Sequence, residues 1–313
     1  MNTVVHRVRQ LGEAAGLLRK LSAKTVFKLL QRAAEPVPQV VVSQTAFGSF
    51  CGLENDYLYQ CALAQGSNEP HFDQIVELLV SEDAVVLDVG ANIGTHSIRL
   101  SKQACRGTVH AFEPQSLVFS ILQKNLLLNA CDNVRPYRFA VAESDNAVLS
   151  MEAFSFSGQK INNGAIRVDR SGGGTGDMVM SQRLDSFAFP RVDFIKMDIQ
   201  GSEVDALRGA ADLLARTRPI LFVEIEEVHL RALGRSSKEL METLFGMSYA
   251  LYRIQNEYPC DHLCIPIEKV AEFEQTAAHR FSFRLSPRIS GKTVALTFAD
   301  AYSQNYLTIE TAT

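Results

Sequence analysis

The length, composition and charge of the chain exclude several classes of protein. Its 313 residues suffice for one large domain, or for a core domain with appendages. With 46% hydrophobic and 21% charged residues it is an ordinary globular sequence, and its net charge of −4 argues against general nucleic-acid binding. It contains no run of about 18 apolar residues, so no transmembrane helix is expected.

Six cysteines are scattered through the sequence, which indicates a reducing compartment rather than a disulfide framework. Cys260 and Cys264, with His262 between them, form a fragment of a metal-binding pattern. No second pair at zinc spacing is present, so a buried strand over residues 263–265 is the favoured interpretation. The N-terminus contains no compact apolar segment with a cleavage site, so we expect no secretory signal and a cytoplasmic location.

The predicted elements begin with a basic amphipathic helical extension over residues 1–38. Residues 1–35 contain seven basic and two acidic side chains, a net charge of +5. Apolar side chains recur at helical spacing within residues 4–34. Two interpretations stay open: peripheral contact with an anionic membrane surface, or, as the favoured one, packing against the core or a partner subunit. A cap region follows over residues 39–82, with a helix predicted over 73–80.

Strands and helices then alternate over residues 83–270, the predicted core. Strands are predicted near residues 85–89, 108–112, 134–141, 192–197, 219–223, 248–254 and 262–267. Helices are predicted near residues 94–104, 116–129, 203–211 and 236–246. This rhythm is typical of a parallel sheet covered by helices. A polar, glycine-rich insertion at 155–180 is predicted to be a functional loop, and residues 271–313 form an extension of unknown role.

The most informative segment is residues 85–94, a short apolar strand that ends in Asp88 and turns through two glycines into a helix. A dinucleotide-binding turn needs Gly-x-Gly-x-x-Gly, but Asn92 and Thr95 occupy its second and third glycine positions. The second glycine lets the chain approach a pyrophosphate, and Asn92 would crowd it. A nucleoside ligand without phosphates, such as S-adenosylmethionine, has no such requirement.

Acidic side chains follow four of the predicted parallel strands, namely Asp88, Glu113, Asp198 and Glu224. In open α/β sheets the carboxyl ends of the strands meet at one edge, where ligands bind. A carboxylate after the second strand, such as Glu113, can accept both ribose hydroxyls of a nucleoside. Acids crowded into one cleft repel one another, which raises pKa values or recruits a cation such as Lys196.

Together these segments resemble the FkbM-like family of S-adenosylmethionine-dependent methyltransferases, over about residues 50–270. The matching segments, in the family's order, are DVGANIG at 88–94, AFEP at 111–114, NLLLN at 125–129, AV at 140–141, RLDSF at 183–187, KMDIQGSE at 196–203 and VE at 223–224. The resemblance implies an α/β, Rossmann-like class I methyltransferase fold. Its sheet would have seven mostly parallel strands, the last one antiparallel, with helices on both faces. The resemblance also implies methyl transfer to oxygen, commonly a hydroxyl of a sugar, glycan or natural product.

The resemblance further implies roles for individual residues. Those expected to bind S-adenosyl-L-methionine are Asp88, Gly90, Ala91, Asn92, Gly94, Thr95, His96, Glu113, Pro114, Ala140, Val141 and Asp198. Among these, Glu113 would bind the ribose hydroxyls, and Ala140 and Val141 would flank the adenine. Asn163, in the polar insertion, and Glu203 are candidates for contacting the acceptor. Glu203 is equally well explained as a first-turn acid favoured by the helix dipole.

An in-line methyl transfer needs an acceptor oxygen aligned with the S–CH3 bond and a base for the hydroxyl proton. Asp198 is the first candidate for that base, or for orienting the acceptor, and Glu224 is the second. Asn125 and Asn129 are predicted to be structural residues that close a helix and its turn.

Two other functions stay open. A methyltransferase-like module without chemistry, acting as a binding partner or scaffold, is suggested by the basic N-terminus and the unassigned 271–313 extension. The second open function is a metal-dependent enzyme, in which Asp198 and Glu224 would hold a divalent ion. The sequence shows no firm set of further ligands, so no metal is predicted. The expected partners are a small-molecule or glycan acceptor, and no nucleic acid.

Overall fold

In a computed structural model of the chain, the described residues are 39–45, 48–65, 69–152, 167–169, 176–255, 260–289, 294–298 and 307–311. The predicted helix within residues 1–38 lies outside these ranges, as does Asn163. Every helix within the described ranges is too short or too polar to cross a membrane.

Strands and helices alternate along the described chain much as the sequence predicts. The strands are β1 (Val40–Thr45), β2 (Gly48–Leu53), β3 (Val85–Val89), β4 (Thr108–Phe112), β5 (Val134–Tyr137), β6 (Ala140–Val141), β7 (Val148–Met151), β8 (Val168–Asp169), β9 (Met178–Gln182), β10 (Phe194–Met197), β11 (Ile220–Glu224), β12 (Tyr249–Gln255), β13 (Asp261–Pro266), β14 (Arg284–Leu285), β15 (Val294–Phe298) and β16 (Leu307–Thr311). The α-helices are α1 (Tyr57–Gln65), α2 (Pro70–Leu79), α3 (Thr95–Gln103), α4 (Ser116–Leu128), α5 (Glu203–Arg208), α6 (Ala211–Thr217), α7 (Glu227–Ala232), α8 (Ser237–Gly246) and α9 (Val270–Thr276).

The central sheet has eight strands in the order β14-β12-β13-β11-β10-β3-β4-β5. Strands β5, β4, β3, β10 and β11 are parallel, whereas β13 pairs antiparallel with both β11 and β12. This arrangement confirms the predicted parallel core with an antiparallel last strand. The predicted count of seven strands is wrong by one, because β14 adds to the edge strand β12. With only two residues, β14 is too short to give an alternation signal in the sequence.

A second sheet has four strands in the order β6-β9-β7-β8. The prediction of one strand over 134–141 is wrong here, because the chain leaves the central sheet after Tyr137. Ala140 pairs instead with Ser181 of β9. Pro136 suits this exit, since it lies in β5 at the edge of the sheet, where a missing N–H group is tolerated.

The predicted helix over residues 203–211 is divided into α5 and α6. The backbone at Gly209 approaches the segment after β6 so closely that a Cβ atom there would lie 2.0 Å from the carbonyl oxygen of Ala142. Helix α6 then begins where Asp185 Oδ1 accepts a hydrogen bond from the Leu213 N–H group at 2.8 Å. Contacts with neighbouring segments, rather than the local sequence, therefore determine where α5 ends and α6 begins.

Apolar clusters cover both faces of the central sheet. Val86, Phe194 and Phe222 belong to one cluster, whereas Leu87 and Ile195 belong to the other. Burial on both faces explains why these strands are nearly continuous apolar runs rather than alternating ones. Strand β2 and helix α2 of the cap region pack on the first face. The central sheet and the cap region therefore share one core.

A buried amide fastens the cap region to the core. Asn125 of α4 is fully buried, and its Oδ1 accepts a hydrogen bond from the Cys51 N–H group at 2.6 Å. Its Nδ2 donates to the carbonyl oxygens of Cys51 at 2.9 Å and Ile93 at 2.7 Å. One side chain thus joins β2, α4 and the turn after β3, which confirms its predicted structural role.

Replacing Asn125 by Leu should lower the free energy of unfolding by about 2–4 kcal/mol, because three buried backbone groups lose their partner. Urea unfolding followed by circular dichroism measures the change. Leu127→Ala is a matched control on the same helix, since this side chain is 82% exposed, and should change stability by less than about 0.5 kcal/mol. Equal losses in the two variants would contradict the assignment.

Candidate active site

A cavity of about 950 Å³ opens at the carboxyl ends of the parallel strands. Its walls include the segments that follow β3, β4, β10 and β11, strand β6, and the starts of α2 and β13. Ligands of open α/β sheets bind at this edge, and the volume is typical of a small-molecule site. The predicted site residues that line it are Gly90, Ala91, Asn92, Thr95, His96, Glu113, Pro114, Ala140, Val141, Asp198 and Glu224.

The turn after β3 requires glycine at its first position. Gly90 has a φ of +84°, and a Cβ atom there would lie 1.8 Å from the carbonyl oxygen of Asp198. The N–H groups of Gly90 and Ala91 donate to the Phe112 carbonyl at 3.0 and 2.9 Å, which ties the turn to β4. Asn92 has a φ of +50°, in the left-handed region that asparagine tolerates. The turn therefore forms part of the cavity wall, through Gly90, Ala91 and Asn92.

Glu113 follows β4 with its carboxylate on the cavity wall. Its Oε1 accepts the Gln115 N–H group at 2.9 Å, and its Oε2 accepts the Asn92 N–H group at 3.0 Å. Burial raises the pKa of Glu113 to about 7, although these two N–H donors act to lower it. Ala140 and Val141 form a buried apolar part of the same lining. A carboxylate and an apolar wall are what the two halves of a nucleoside require.

Asp88 and Gly94 are absent from the cavity lining. Asp88 is fully buried, and its Oδ2 accepts a hydrogen bond from the Ser97 hydroxyl at 2.5 Å. A Cβ atom at Gly94 would lie 2.7 Å from the Leu122 side chain, so this glycine lets α3 and α4 pack closely. Both residues thus support the turn from outside the cavity lining, and the contact with the cofactor that the resemblance implies stays a prediction.

A buried lysine balances the carboxylates, as the crowding of acids predicts. Lys196 Nζ donates to the Gly90 carbonyl at 2.9 Å and lies 3.6 Å from Asp198 Oδ2 and 3.8 Å from Asp88 Oδ1. Burial acts to lower the pKa of Lys196, but the neighbouring carboxylates, Asp198 foremost, raise it above its ordinary value. Burial raises the pKa of Asp88, and Lys196 opposes that rise. The lysine therefore stays charged in the floor of the site.

Asp198 and Glu224 are joined by an amide that the sequence reasoning did not single out. Gln200 Nε2 donates to Asp198 Oδ1 at 2.8 Å and to Glu224 Oε2 at 3.0 Å. Burial, followed by the charge of Asp198, raises the pKa of Glu224 well above its ordinary value. Burial also acts to raise the pKa of Asp198, but Lys196 and the hydrogen bonds outweigh it, so that pKa is lowered. The pKa values of these neighbouring carboxyls are therefore shifted in opposite directions, that of Asp198 down and that of Glu224 up.

Glu203 does not line the cavity. Its Oε1 accepts the N–H groups of Ile199 at 3.0 Å and Gly201 at 3.2 Å, and its side chain is buried. Burial raises its pKa to about 7. The carboxylate shapes the turn that follows Asp198, so the structure supports the alternative of a first-turn acid rather than an acceptor contact. The acceptor contact of Asn163 stays a prediction.

A second group of ionisable side chains at the cavity comprises Glu69 and His71 at the start of α2, Asp261 at the start of β13, and His96 on α3. Of these the sequence singles out only His96, as a residue expected to bind the cofactor. His71 Nε2 lies 2.8 Å from Asp261 Oδ2, and His96 Nε2 lies 3.5 Å from Glu69 Oε2. Tertiary contacts bring these segments together. In the sequence only Pro70, a favoured first residue of a helix, marks the start of α2.

The strand order, the antiparallel β13, the glycine turn after β3 and the carboxylate after β4 define a class I methyltransferase. The sequence profile described as "Methyltransferase FkbM domain" matches residues 88–254. The chain belongs to this FkbM methyltransferase family, which confirms the resemblance found in the sequence.

Two curated relatives and one solved structure illustrate the family. "Hexuronic acid methyltransferase AglP" of Haloferax volcanii is 32% identical over 160 residues, which are 50% of this chain and 61% of that protein. "2-O-methyltransferase NoeI" of Sinorhizobium fredii is 25% identical over 172 residues, 50% of this chain and 69% of that protein. The methyltransferase FkbM structure from Methylobacillus flagellatus is 20% identical, with a TM-score of 0.42, and the match covers 59% of this chain and 44% of that one. The chain spans about 60% of the length of the first curated relatives that it matches.

Replacing Lys196 by Met should destabilise the fold by about 3–5 kcal/mol, because the buried carboxylates of Asp88 and Asp198 lose their cation. The pKa of Asp88, already raised by burial, would rise further. A carboxyl whose pKa is raised in the folded state contributes stability at low pH that is lost as the pH rises through that pKa. The loss of unfolding free energy in Lys196→Met should therefore be smaller at about pH 5 than at about pH 8, as measured by urea unfolding.

The double variant Lys196→Met/Asp88→Asn is the control for this prediction. It removes one of the two carboxylates that the lysine neutralises, so it should recover part of the lost stability. A loss of unfolding free energy that changes neither with pH nor with the Asp88→Asn substitution would show that Lys196 acts through packing instead of charge.

Proposed function

We propose that the protein transfers a methyl group from S-adenosyl-L-methionine to a hydroxyl of a sugar, glycan or natural product. The observation that carries the proposal is a single cavity with two chemically different ends. One end presents the glycine turn, Glu113 and the apolar residues of β6. The other presents Asp198, Glu224 and the acidic side chains at the starts of α2 and β13. The first end suits a nucleoside, and the second suits an acceptor hydroxyl and its proton.

The residues of the first end fit S-adenosylmethionine better than a dinucleotide. Gly90 lets the turn pack against the Asp198 carbonyl at the cavity wall, but Asn92 stands in the place of the second glycine that a pyrophosphate needs. Glu113 has two carboxylate oxygens for the two ribose hydroxyls. Ala140 and Val141 offer apolar contact to an adenine ring.

When bound, the cofactor supplies a methyl group that is already activated on a positively charged sulfur. The protein must then hold the acceptor oxygen in line with the S–CH3 bond. Asp198, ionised beside Lys196, can accept a hydrogen bond from the acceptor hydroxyl and so orient its oxygen. The hydroxyl proton becomes much more acidic as the oxygen bonds to carbon, so a carboxylate of lowered pKa can receive it. Glu224, tied to Asp198 through Gln200, keeps that carboxylate in place.

The charge of the acceptor end favours an uncharged acceptor. The carboxylates of its described lining are Glu69, Asp198, Glu224, Glu226 and Asp261. Lys196 is the one lysine or arginine in that described lining, and two carboxylates already neutralise it. Aromatic faces for a sugar ring come from Tyr57, Phe139 and Phe283. By its side chains alone the described lining favours a neutral, hydroxyl-rich acceptor, because an anion such as the hexuronic acid named for the Haloferax relative would meet more carboxyls than cations.

S-adenosylmethionine and S-adenosylhomocysteine should each bind the purified protein in a calorimetric titration, and NAD should not. Glu113→Ala should weaken both adenosyl ligands by at least about 100-fold, because two charge-assisted hydrogen bonds are lost. Binding of NAD alone would overturn the interpretation of Asn92. Failure of a folded protein to bind any of the three would favour the alternative of a methyltransferase-like scaffold.

The pH dependence of cofactor binding tests whether Glu113 is the carboxylate that binds the ribose hydroxyls. The Glu113 carboxyl titrates at about 7, and its ionised form is the better acceptor of ribose hydroxyls. Affinity should therefore rise as the pH increases from about 6 to about 8. Glu113→Gln should remove most of this dependence, whereas Glu203→Gln, which removes the other carboxyl with a pKa of about 7, should retain it.

Asp198→Asn should lower turnover by about 10²–10⁴-fold, the usual contribution of a positioned base. Cofactor affinity should change by less than about threefold, because the proposed contact is to the acceptor. Release of S-adenosylhomocysteine with a panel of neutral glycosides measures turnover. Glu242→Gln is the control, since this carboxyl is 63% exposed on α8. A loss of cofactor affinity as large as the loss of turnover would place Asp198 at the cofactor amine instead.

A further inference from the structure

We infer that Glu69, His71, Asp261 and His96 form a binding site for a divalent transition-metal ion at the acceptor end of the cavity. The ligand atoms of Glu69, His71 and Asp261 all lie within 4.8 Å of one another. The inference deepens the proposed function, on which the role of the ion rests, because the ion would lie beside the acceptor hydroxyl. Binding of the ion itself can be measured without cofactor or acceptor.

Three separate segments converge on this metal-binding cluster. Glu69 immediately precedes α2, His71 lies in the first turn of that helix, and Asp261 begins β13. His71 Nε2 lies 2.8 Å from Asp261 Oδ2 and 3.9 Å from Glu69 Oε2. Atoms that bind one tetrahedral ion at about 2.1 Å are about 3.4 Å from one another. The two separations of His71 Nε2 differ from that spacing by about half an ångström, and all three ligand atoms lie within 4.8 Å of one another.

His96 provides an independent observation that points to a ligand. Its side chain is 7% exposed, and its Nε2 is buried and has no hydrogen-bond partner. That nitrogen is directed at the cluster, 3.5 Å from Glu69 Oε2. A buried polar atom without a partner is rare, because it has lost its bonds to water without replacement. A bound ion would give this nitrogen a role as the fourth ligand.

The imidazole rings are held in position by aromatic neighbours. The His96 ring lies 4.4 Å from that of Phe72. The His71 ring lies 6.0 Å from Phe222 and 6.1 Å from Phe283, in a tilted and an edge-on arrangement. These aromatic contacts restrict both rings before any ion arrives.

The surrounding charge also favours a cation. Asp261 is 3% exposed, and its ligand atom lies within 4.8 Å of that of Glu69. Two carboxyls held this close in a buried pocket are stabilised when a dication lies between them.

The mixture of ligands indicates which ions fit. Imidazole nitrogens together with carboxylates suit Mn²⁺, Fe²⁺, Co²⁺ and Zn²⁺, whereas Mg²⁺ and Ca²⁺ prefer oxygen ligands alone. The pair considered from the sequence, Asp198 and Glu224, is a poorer site. The Gln200 amide donates its N–H groups to both carboxylates, so hydrogens occupy the space that an ion would need.

An ion at the cluster would bind the oxygen of the acceptor hydroxyl as a fifth ligand, beside the four side chains, and make its proton more acidic. Strand pairing supports this placement, because Asp261 lies opposite Glu224 in the register of β11 and β13. During transfer the oxygen–carbon bond forms while the sulfur–carbon bond breaks, and the electron pair of that bond stays on sulfur. The hydroxyl proton passes to Asp198. The ion changes neither its charge nor its oxidation state in this step.

The test is a titration of the chelator-treated full chain with Co²⁺ and, separately, with Zn²⁺. Calorimetry gives the stoichiometry, and the visible absorption of Co²⁺ reports imidazole and carboxylate coordination. We expect one ion per chain, and at least about 100-fold weaker binding in both His71→Ala and Asp261→Asn. His279→Ala is the matched control, since this histidine is exposed and outside the cavity, and should bind as the unmodified chain does.

Three outcomes would overturn the site: no binding, binding that His71→Ala and Asp261→Asn leave unchanged, or stronger binding of Mg²⁺ than of Zn²⁺. Circular dichroism of each variant separates lost ligands from lost structure, and His96→Gln offers a second ligand change on another helix. Failure of metal binding with intact S-adenosylmethionine binding would remove the metal site alone. Failure of S-adenosylmethionine binding with intact metal binding would remove the proposed function alone.

Discussion

The need to neutralise one buried ammonium group organises the whole site. Lys196 lies on β10, between β3 and β11 at the centre of the sheet, and its register partner on β3 is Asp88. A charge this deeply buried is tolerated only where opposite charges and hydrogen-bond acceptors surround it. The Gly90 carbonyl and the carboxylates of Asp88 and Asp198 meet that need. The glycine turn and the acidic strand ends are therefore parts of one electrostatic arrangement.

Strand direction explains how residues from unlike positions reach the same edge. Parallel strands bring their carboxyl ends together, which places Asp198 beside Glu224, while Asp88 lies deeper in the sheet, opposite Lys196. Strand β13 is antiparallel, so its first residue, not its last, lies at that edge, and Asp261 therefore faces Glu224. The reversal of a single strand adds an acid to the acceptor end that the parallel strands alone would not supply.

The sequence predicts those features that depend on local pattern. The apolar runs of the core strands, the glycine turn and the terminal acids, including Glu113 and Asp198, follow from strand periodicity and from the rule for strand ends. Gln200 was not predicted because its role depends on a carboxylate 24 residues further along the chain, Glu224, being brought close to it in space. Glu69 and His71 were missed for a similar reason, since they join Asp261 only through the packing of the cap region. Features made by tertiary contact carry no signature in a single sequence.

The hydrogen bonds of Asn125 show that the folded domain begins before the segment that the family profile matches. The family profile starts at residue 88, but the amide of Asn125 bonds to Cys51, well before that boundary. Glu69 and His71 also precede the boundary, and Asp261 follows the end of the profile at residue 254. The matched segment thus contains the glycine turn, Asp198 and Glu224, but not the flanking residues that complete the same cavity. A relative that matched this chain over that segment alone could therefore enclose a cavity of the same floor with different walls.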